Sequence, residues 1–500
     1  MTKLDPQKDY YAILELTPEA DTETLKRAYR ELARRHHPDS GSGDVEAFRL
    51  VQEAYDVLRD TALRRAYDRQ RGRRGRDAEG PINWTMTLSR ETLPALATQQ
   101  MLYALVEIVS TAKETAGRQP LNLALVVDRS NSMRGIRMEN VKLAALDLLD
   151  YLEPGDRLAM IAFNDRAEVL IPSTLASDKR NLRSPITSLV AGGGTEIYQG
   201  LLAGIEQVRR FGNAHKVNHV ILLTDGRTYG DEERSLQEVQ RATTSGIGVS
   251  AMGIGEDWND FFLDNLAQRG GGISSYIQSP SQIRQMLRDH LQGLGSLLAR
   301  DLKFVTNLTD YVQVQAVHRV LPHMEHLGTP QHNTIAVGRL EADQPIALLL
   351  DLLVEHNEVG RRRLARFELE GMLLKGDKPL RLRHDLEVTF AHSPQESPVP
   401  PRILNHLSRL SVYRLQERAW LALESGDAKQ ATSLLNVAAT RLFDMGYRDL
   451  AQAALLEAGR MAQGAAPSSG GRKKLRYGTR ALSIPTHTEP AQTEGVEHDR

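Results

Sequence analysis

Seven consecutive residues, Leu121 to Val127 in LNLALVVDRSNSM, are apolar except for Asn122, and the run stops abruptly at Asp128, Ser130 and Ser132. A run that short and that apolar reads as a strand buried on both faces, the kind found in parallel sheets, since a half-exposed strand would alternate. Such a strand commits the middle of the chain to a layered α/β architecture. In an open sheet of this class ligands bind beyond the carboxyl ends of the strands, so the D-x-S-x-S that follows reads as a hard-cation site.

The flanking pattern agrees. Helices over Ile136–Leu152 and Ile197–Arg210, around Leu236–Thr244, near Phe261–Gln268 and from about Ser281 alternate with strands over Arg157–Phe163, Val169–Ile171, Asn218–Leu223 and Gly248–Met252. This is a doubly wound α/β pattern with mostly parallel strands. Two further loops carry oxygen donors, Thr195 in GGGTE and Asp225 in LLTDGR. Two carboxylates, two serines and one threonine leave an octahedral Mg2+ short of protein charge and ligands, which an external carboxylate would complete. The ordered set resembles the von Willebrand factor A domain, over about Pro120 to Gln292. That resemblance implies a metal-ion-dependent adhesion site. Ser130 and Ser132 would bind the ion directly, Asp128 and Asp225 directly or through water, with Thr195 completing the protein set and a partner's acidic side chain supplying the last ligand. Mg2+ is the first choice of cation, with Mn2+ or Ca2+ as alternatives.

Aspartate beside serine also occurs in hydrolases, but those need a base. His215 and His219 flank the strand ahead of Asp225 and read as ordinary surface or core histidines. With no P-loop lysine motif, catalytic triad or matched carboxylate pair, the chain is not expected to be an enzyme.

From Asp9 to about Asp68 apolar residues recur at helical spacing. A helix is expected from about Thr22 to His36, with Leu25, Tyr29 and Leu32 on one stripe and Lys26, Arg27, Arg30, Arg34 and Arg35 on the other face. A third, from about Val45 to Arg59, offers Phe48, Val51, Tyr55 and Leu58 as the complementary stripe. Between them stands His37-Pro38-Asp39. DYYAILEL, LKRAYRELARRHHPD and EAYDVLRDTALRRAYD resemble a J-domain, the defining module of DnaJ-type co-chaperones. The resemblance implies that His37, Pro38 and Asp39, with Lys26, Arg27 and Arg30 as docking charges, bind a DnaK-type chaperone and stimulate its ATP hydrolysis. Glu31 departs from the pattern, where many members carry another base. The Gly/Phe-rich segment and cysteine zinc modules of the fullest DnaJ type do not follow; RGRRGRDAEG reads as a basic, flexible linker.

Beyond the A domain, from about Leu302 to Ala391, the pattern changes to period two, as in YVQVQAV and DLEVTFA, and predicts antiparallel strands. Because Ile82–Ser89 and Gln99–Val109 read the same way, one β-sandwich interrupted by the A domain is expected. His318, His323, His326 and His332 are too irregularly spaced to read as a zinc site. After Pro398, Pro400 and Pro401, helices over Arg402–Glu424, Ala428–Met445 and Leu450–Met461 read either as tetratricopeptide-like hairpins or as a helical cap on the sandwich. The Ala/Ser/Gly/Pro-rich remainder reads as disordered, with Thr479 in a basic stretch as a modification or docking point.

The resulting domain order is a J-domain over 1–70, a linker over 71–81, leading sandwich strands over 82–118, the A domain over 119–296, the rest of the sandwich over 297–396, helical hairpins over 397–463 and a disordered tail over 464–500. A net charge of −1 offers no global attraction for nucleic acid or anionic membrane, and the absence of cysteine excludes disulfides and thiolate chemistry. With no h-region at the start and no membrane-length apolar run, a cytoplasmic protein is expected. The function expected is a co-chaperone that stimulates a DnaK-type ATPase and recruits a protein partner through a metal-dependent A domain. The alternative is a non-catalytic scaffold of a multiprotein complex in which the J-domain is passive or regulatory.

Overall fold

The computed structural model describes residues 10–14, 22–35, 45–60, 63–64, 81–111, 118–213, 215–227, 230–330, 333–375, 378–394 and 398–482. The chain divides into two compact units, Met1–Asn83 and Trp84–Arg500. In the first, α1 (Tyr10–Ile13), α2 (Thr22–Arg35) and α3 (Val45–Arg59) enclose a small core of Tyr10, Leu14, Leu25, Leu32, Val51, Ala54, Val57 and Leu58. The predicted stripes meet: Tyr29 stacks on Tyr55 with ring centroids 4.1 Å apart. Residues 71–80, read as a linker, lie outside the described residues.

In the second unit β4 (Leu121–Asp128) is buried at every position. Its alternation divides the side chains between two layers. Leu121, Leu123, Leu125 and Val127 join one core with α4 (Ile136–Tyr151), α5 (Lys179–Thr187) and α9 (Gln282–Gly295), while Ala124 and Val126 join another with α6 (Ile197–Arg209), α7 (Glu232–Thr244) and α8 (Asp260–Arg269). The one polar residue of the run, Asn122, is satisfied by donating to the Val208 carbonyl at 2.8 Å and to Asn218 Oδ1 at 2.9 Å. With β5 (Arg157–Phe163), β6 (Ala167–Leu175), β7 (Val217–Thr224), β8 (Ile247–Ile254) and β9 (Gly271–Ile277), the sheet order is β6-β5-β4-β7-β8-β9. All neighbours are parallel except β5 and β6. Strand β9, GGISSYI, is absent from the sequence reading because its glycines and serines bury little apolar surface. The order reverses between β4 and β7, which opens a crevice at their carboxyl ends.

The strands before and after this domain complete the same two sheets. In one, β1 (Ile82–Leu88), β3 (Leu96–Ser110), β14 (Ile346–His356), β11 (Val312–Leu321) and β12 (Glu325–Gly328) lie in that order. In the other the order is β13 (Thr334–Glu341), β10 (Leu297–Leu308), β15 (Gly360–Leu373), β16 (Lys378–Ala391) and β2 (Thr92–Pro94). Leu105 of β3 pairs with Leu349 of β14 across the insertion, as the interrupted sandwich requires. Strand β14 departs from period two, and its cause lies above the sheet. Leu105, Val320, Met324, Ala347 and Leu349 share a core with Ile403, Leu410, Val412, Tyr413, Ala438 and Leu442. The helices α10 (Pro401–Glu424), α11 (Ala428–Asp444) and α12 (Arg448–Ala462) therefore cap the sandwich.

The disordered tail expected over 464–500 is corrected for 464–482; residues 483–500 lie outside the described residues. Ser469–Arg480 forms a further helix, α13, with Ser468 accepting from the Gly471 amide at 3.0 Å as its cap. The segment has few apolar residues, so its order comes from distant carboxylates rather than from local pattern. Arg476 reaches Asp260 at 3.0 Å and Asp264 at 2.9 Å, Arg480 reaches Asp264 at 2.9 Å, and the Lys473 ammonium donates to the Trp258 carbonyl at 2.8 Å. Thr479 is not an accessible point: its side chain is buried and donates to Gln416 Oε1 at 3.0 Å.

Two measurements check this packing. Arg476→Ala removes the buried cation that joins Asp260 to Asp264, leaving Asp264 only Arg480 and Tyr477, and should cost about 3 kcal/mol, read as a lower urea midpoint. Second, burial pulls His290 and His318 to about 3 and His406 to about 4, so each stays neutral when folded. Unfolded histidines take up protons near pH 6.5. The stability these groups contribute is therefore complete above that pH and declines as pH falls below it. The urea midpoint should be lower at pH 5.5 than at pH 7.5; an unchanged midpoint would contradict it.

Candidate metal centre

The crevice between β4 and β7 gathers the polar residues read from the sequence. Asp128 ends β4, and its Oδ1 accepts from the Ser130 amide at 2.8 Å, a tight turn that brings the serine back toward the carboxylate. The Asp128 Oδ2 accepts from the hydroxyl of Thr224, the last residue of β7, at 2.7 Å. Ser130 Oγ and Ser132 Oγ lie 3.0 Å apart, and Ser132 Oγ donates to Asp225 Oδ1 at 2.6 Å. One chain of contacts thus runs from Thr224 through Asp128, Ser130 and Ser132 to Asp225.

Thr195 forms the facing wall. Its loop is held against the first one by the Asn131 amide donating to the Gly193 carbonyl at 3.1 Å and by the Gly192 amide donating to the Arg129 carbonyl at 2.6 Å. A methyl group built on Gly226 would lie 3.1 Å from Thr195 Oγ1 and 3.6 Å from Asp128 Oδ2, so both face one small space.

Asp128 and Asp225 have no exposed surface. Burial pushes the Asp128 carboxyl up; hydrogen bonds from Thr224 and Ser130 oppose this, and the Asp225 charge adds to it. Arg137, the second residue of α4, donates from Nη1 to Asp225 Oδ2 at 2.5 Å. The donors are hard oxygens with two carboxylates among them, which fits Mg2+ and excludes a soft-metal centre. Among the described residues no group of three or more histidines and acidic residues could hold an ion, so this set depends on its hydroxyls.

All five predicted residues therefore meet. Thr224 and Arg137 were missed: the first is an ordinary strand residue in sequence, and the second reaches the site only through the fold. Of the J-domain residues, Lys26 and Arg30 are exposed on α2, while His37, Pro38, Asp39 and the Arg27 side chain lie outside the described residues. His215 is exposed, and His219 is buried against Ser250 Oγ at 2.9 Å. His318 Nε2 and His326 Nδ1 are 3.2 Å apart, but Arg414 donates to His318 Nδ1 at 3.2 Å, a cation where a zinc site would need a ligand. His332 lies outside the described residues.

A J-domain joined to a von Willebrand factor A domain is the class these features define. Residues 9–68 match the DnaJ domain, 122–289 the von Willebrand factor type A domain, and 401–485 the Sll0103-like C-terminal alpha-helical domain. The protein sll0103 of Synechocystis sp., described as uncharacterized, is 30% identical over 403 residues, covering 79% of this chain and 96% of that one. The chain belongs to the family of that protein. The chaperone protein DnaJ of Gluconacetobacter diazotrophicus is 52% identical over 64 residues, 12% of this chain and 17% of that protein. Among solved structures, a von Willebrand factor type A protein from Catenulispora acidiphila superposes with a TM-score of 0.65 at 18% identity, over 81% of this chain and 99% of that one. The ArnB paralog VWA2 from Sulfolobus acidocaldarius has a TM-score of 0.52 at 14% identity, over 81% of this chain and all of that one. Both show the same fold.

Gly226→Val would fill the space between Thr195 and Asp128. It should weaken Mn2+ binding by about tenfold or more with little change in the melting temperature, measured by titration and by thermal unfolding.

Proposed function

We propose that this protein is a co-chaperone that captures a protein partner through its A domain and delivers it to a DnaK-type chaperone, whose ATP hydrolysis its J-domain stimulates. The observation that carries this reading is the convergence of Asp128, Ser130, Ser132, Thr195 and Asp225 at one crevice, in a chain that also bears a J-domain. Ser130 and Ser132 would hold a divalent cation directly, with Asp128, Thr195 and Asp225 bound directly or through water. Mg2+ is favoured by the hard oxygen set, with Mn2+ or Ca2+ as alternatives. The ion would supply a coordination position for a carboxylate of the partner. The protein residues orient that position.

On the other unit, His37, Pro38 and Asp39 would engage the chaperone, with Lys26, Arg27 and Arg30 presenting charge along α2. Tethering the partner to the same chain raises its effective concentration at the chaperone, while the ATP chemistry belongs to that chaperone. Neither module calls for catalysis by this chain, and the proposal places it in the cytoplasm beside that chaperone. The second reading is a scaffold of a multiprotein complex in which the J-domain is passive or regulatory; the Synechocystis relative is matched over 96% of its length by 79% of this chain, so part of this chain has no counterpart there.

Single-turnover ATP hydrolysis by the cognate DnaK-type chaperone separates the two. Wild-type protein should stimulate it, and His37→Gln should reduce the stimulation by about tenfold or more. Equal stimulation by both would remove the co-chaperone role and leave the scaffold.

A further inference from the structure

Arg137 is placed at the metal centre with more precision than a surface arginine needs. Its Nη1 donates to Asp225 Oδ2 at 2.5 Å and to the Ser132 carbonyl at 3.1 Å, so it bridges the two loops that carry the oxygen set. Room for it is reserved on the far side by Gly255, in the loop after β8. A methyl group built there would stand 3.0 Å from Arg137 Nη2, and this glycine has a φ of +70°, which L side chains rarely adopt. The Arg137 side chain is 30% exposed while that of Asp225 is 0% exposed, so the guanidinium sits between a buried charge and the solvent.

A carboxylate withdrawn from water must be neutralised. Asp225 receives a hydroxyl hydrogen bond on Oδ1 and the guanidinium on Oδ2, and both oxygens are thereby engaged. A divalent cation drawn to the same carboxylate would meet a unit positive charge a few ångströms away, where repulsion is strong in a poorly solvated site. Ion and guanidinium therefore compete for the negative charge of that carboxylate. The partly exposed arginine is the one free to swing outward, since a long flexible side chain anchors it.

We propose that Arg137 is the internal counter-cation of the centre. It neutralises and orients Asp225 when no ion is bound, and it sets the affinity of the ion by competing for the same carboxylate. The inference rests on the metal-binding reading above and adds a residue that the five-oxygen set does not include. Its consequence is a centre that stays assembled without an ion and exchanges the ion readily.

The test uses the full chain and Mn2+ as the probe, followed by electron paramagnetic resonance, with thermal unfolding measured in parallel. Arg137→Gln should bind Mn2+ at least about tenfold more tightly than wild type, and Arg137→Lys, which keeps a charge but loses the fork, should fall between them. In chelator, Arg137→Gln should melt below wild type, because Asp225 loses its counter-charge; saturating Mn2+ should abolish that difference. Asp128→Ala serves as the control without an intact site. If Arg137→Gln binds Mn2+ as wild type does or more weakly, or melts as wild type does in chelator, the counter-cation role is overturned while the metal site stands. If neither wild type nor Arg137→Gln binds Mn2+, the metal reading itself fails and this inference with it.

Discussion

Asp128 and Asp225 stand fully buried at the tips of adjacent parallel strands, and holding two like charges there is the constraint the surrounding structure answers. Like charges in a poorly solvated site repel strongly, and each also loses its hydration. The compensation comes from groups that the sheet delivers at no further conformational expense. Thr224 lies one residue before Asp225 and bonds the other carboxylate, while the Ser130 amide and Ser132 hydroxyl come from the turn that β4 runs into. Arg137 arrives on the first turn of the following helix. None of these groups would be in reach if the two strands were not neighbours in register.

That register depends on close layers. A methyl group on Gly204 of α6 would lie 2.5 Å from Val126 Cγ2, so the helix lies almost on the strand. Tight packing of this kind transmits position well, because an interior at crystal-like density has little slack. It is also what lets Asn122 find both its partners deep in the domain.

The central fold was legible because β4 is apolar on both faces and because helices and strands alternate at the two periods that local sterics impose. The five oxygen donors were legible because four follow the apolar runs of β4 and β7 and the fifth, Thr195, closes a glycine loop ahead of α6. Two of the features that escaped detection share a physical cause. Arg137 and α13 are fixed by charge pairs between residues far apart in the chain, and Arg476 with Asp260 leaves no periodic trace in the sequence. A segment such as GRKKLRYGTR looks solvated until its acidic partners are in place. Thr479 was misread for the same reason. The sandwich was legible only as two matching runs of alternation, and β14 broke the alternation because helices cover its outer face.

The interrupted sandwich imposes an order of assembly. Strand β3 cannot meet β14, nor β2 meet β16, until the whole A domain has been made. The early strands emerge with open edges, and unpaired edges invite mispairing. The A domain, with its own sheet and two helical layers, can close first and bring the flanking segments together. Helix α13, the last described helix, then clasps α8 of that domain through Arg476 and Arg480, so a segment made after the sandwich fastens the domain made before it.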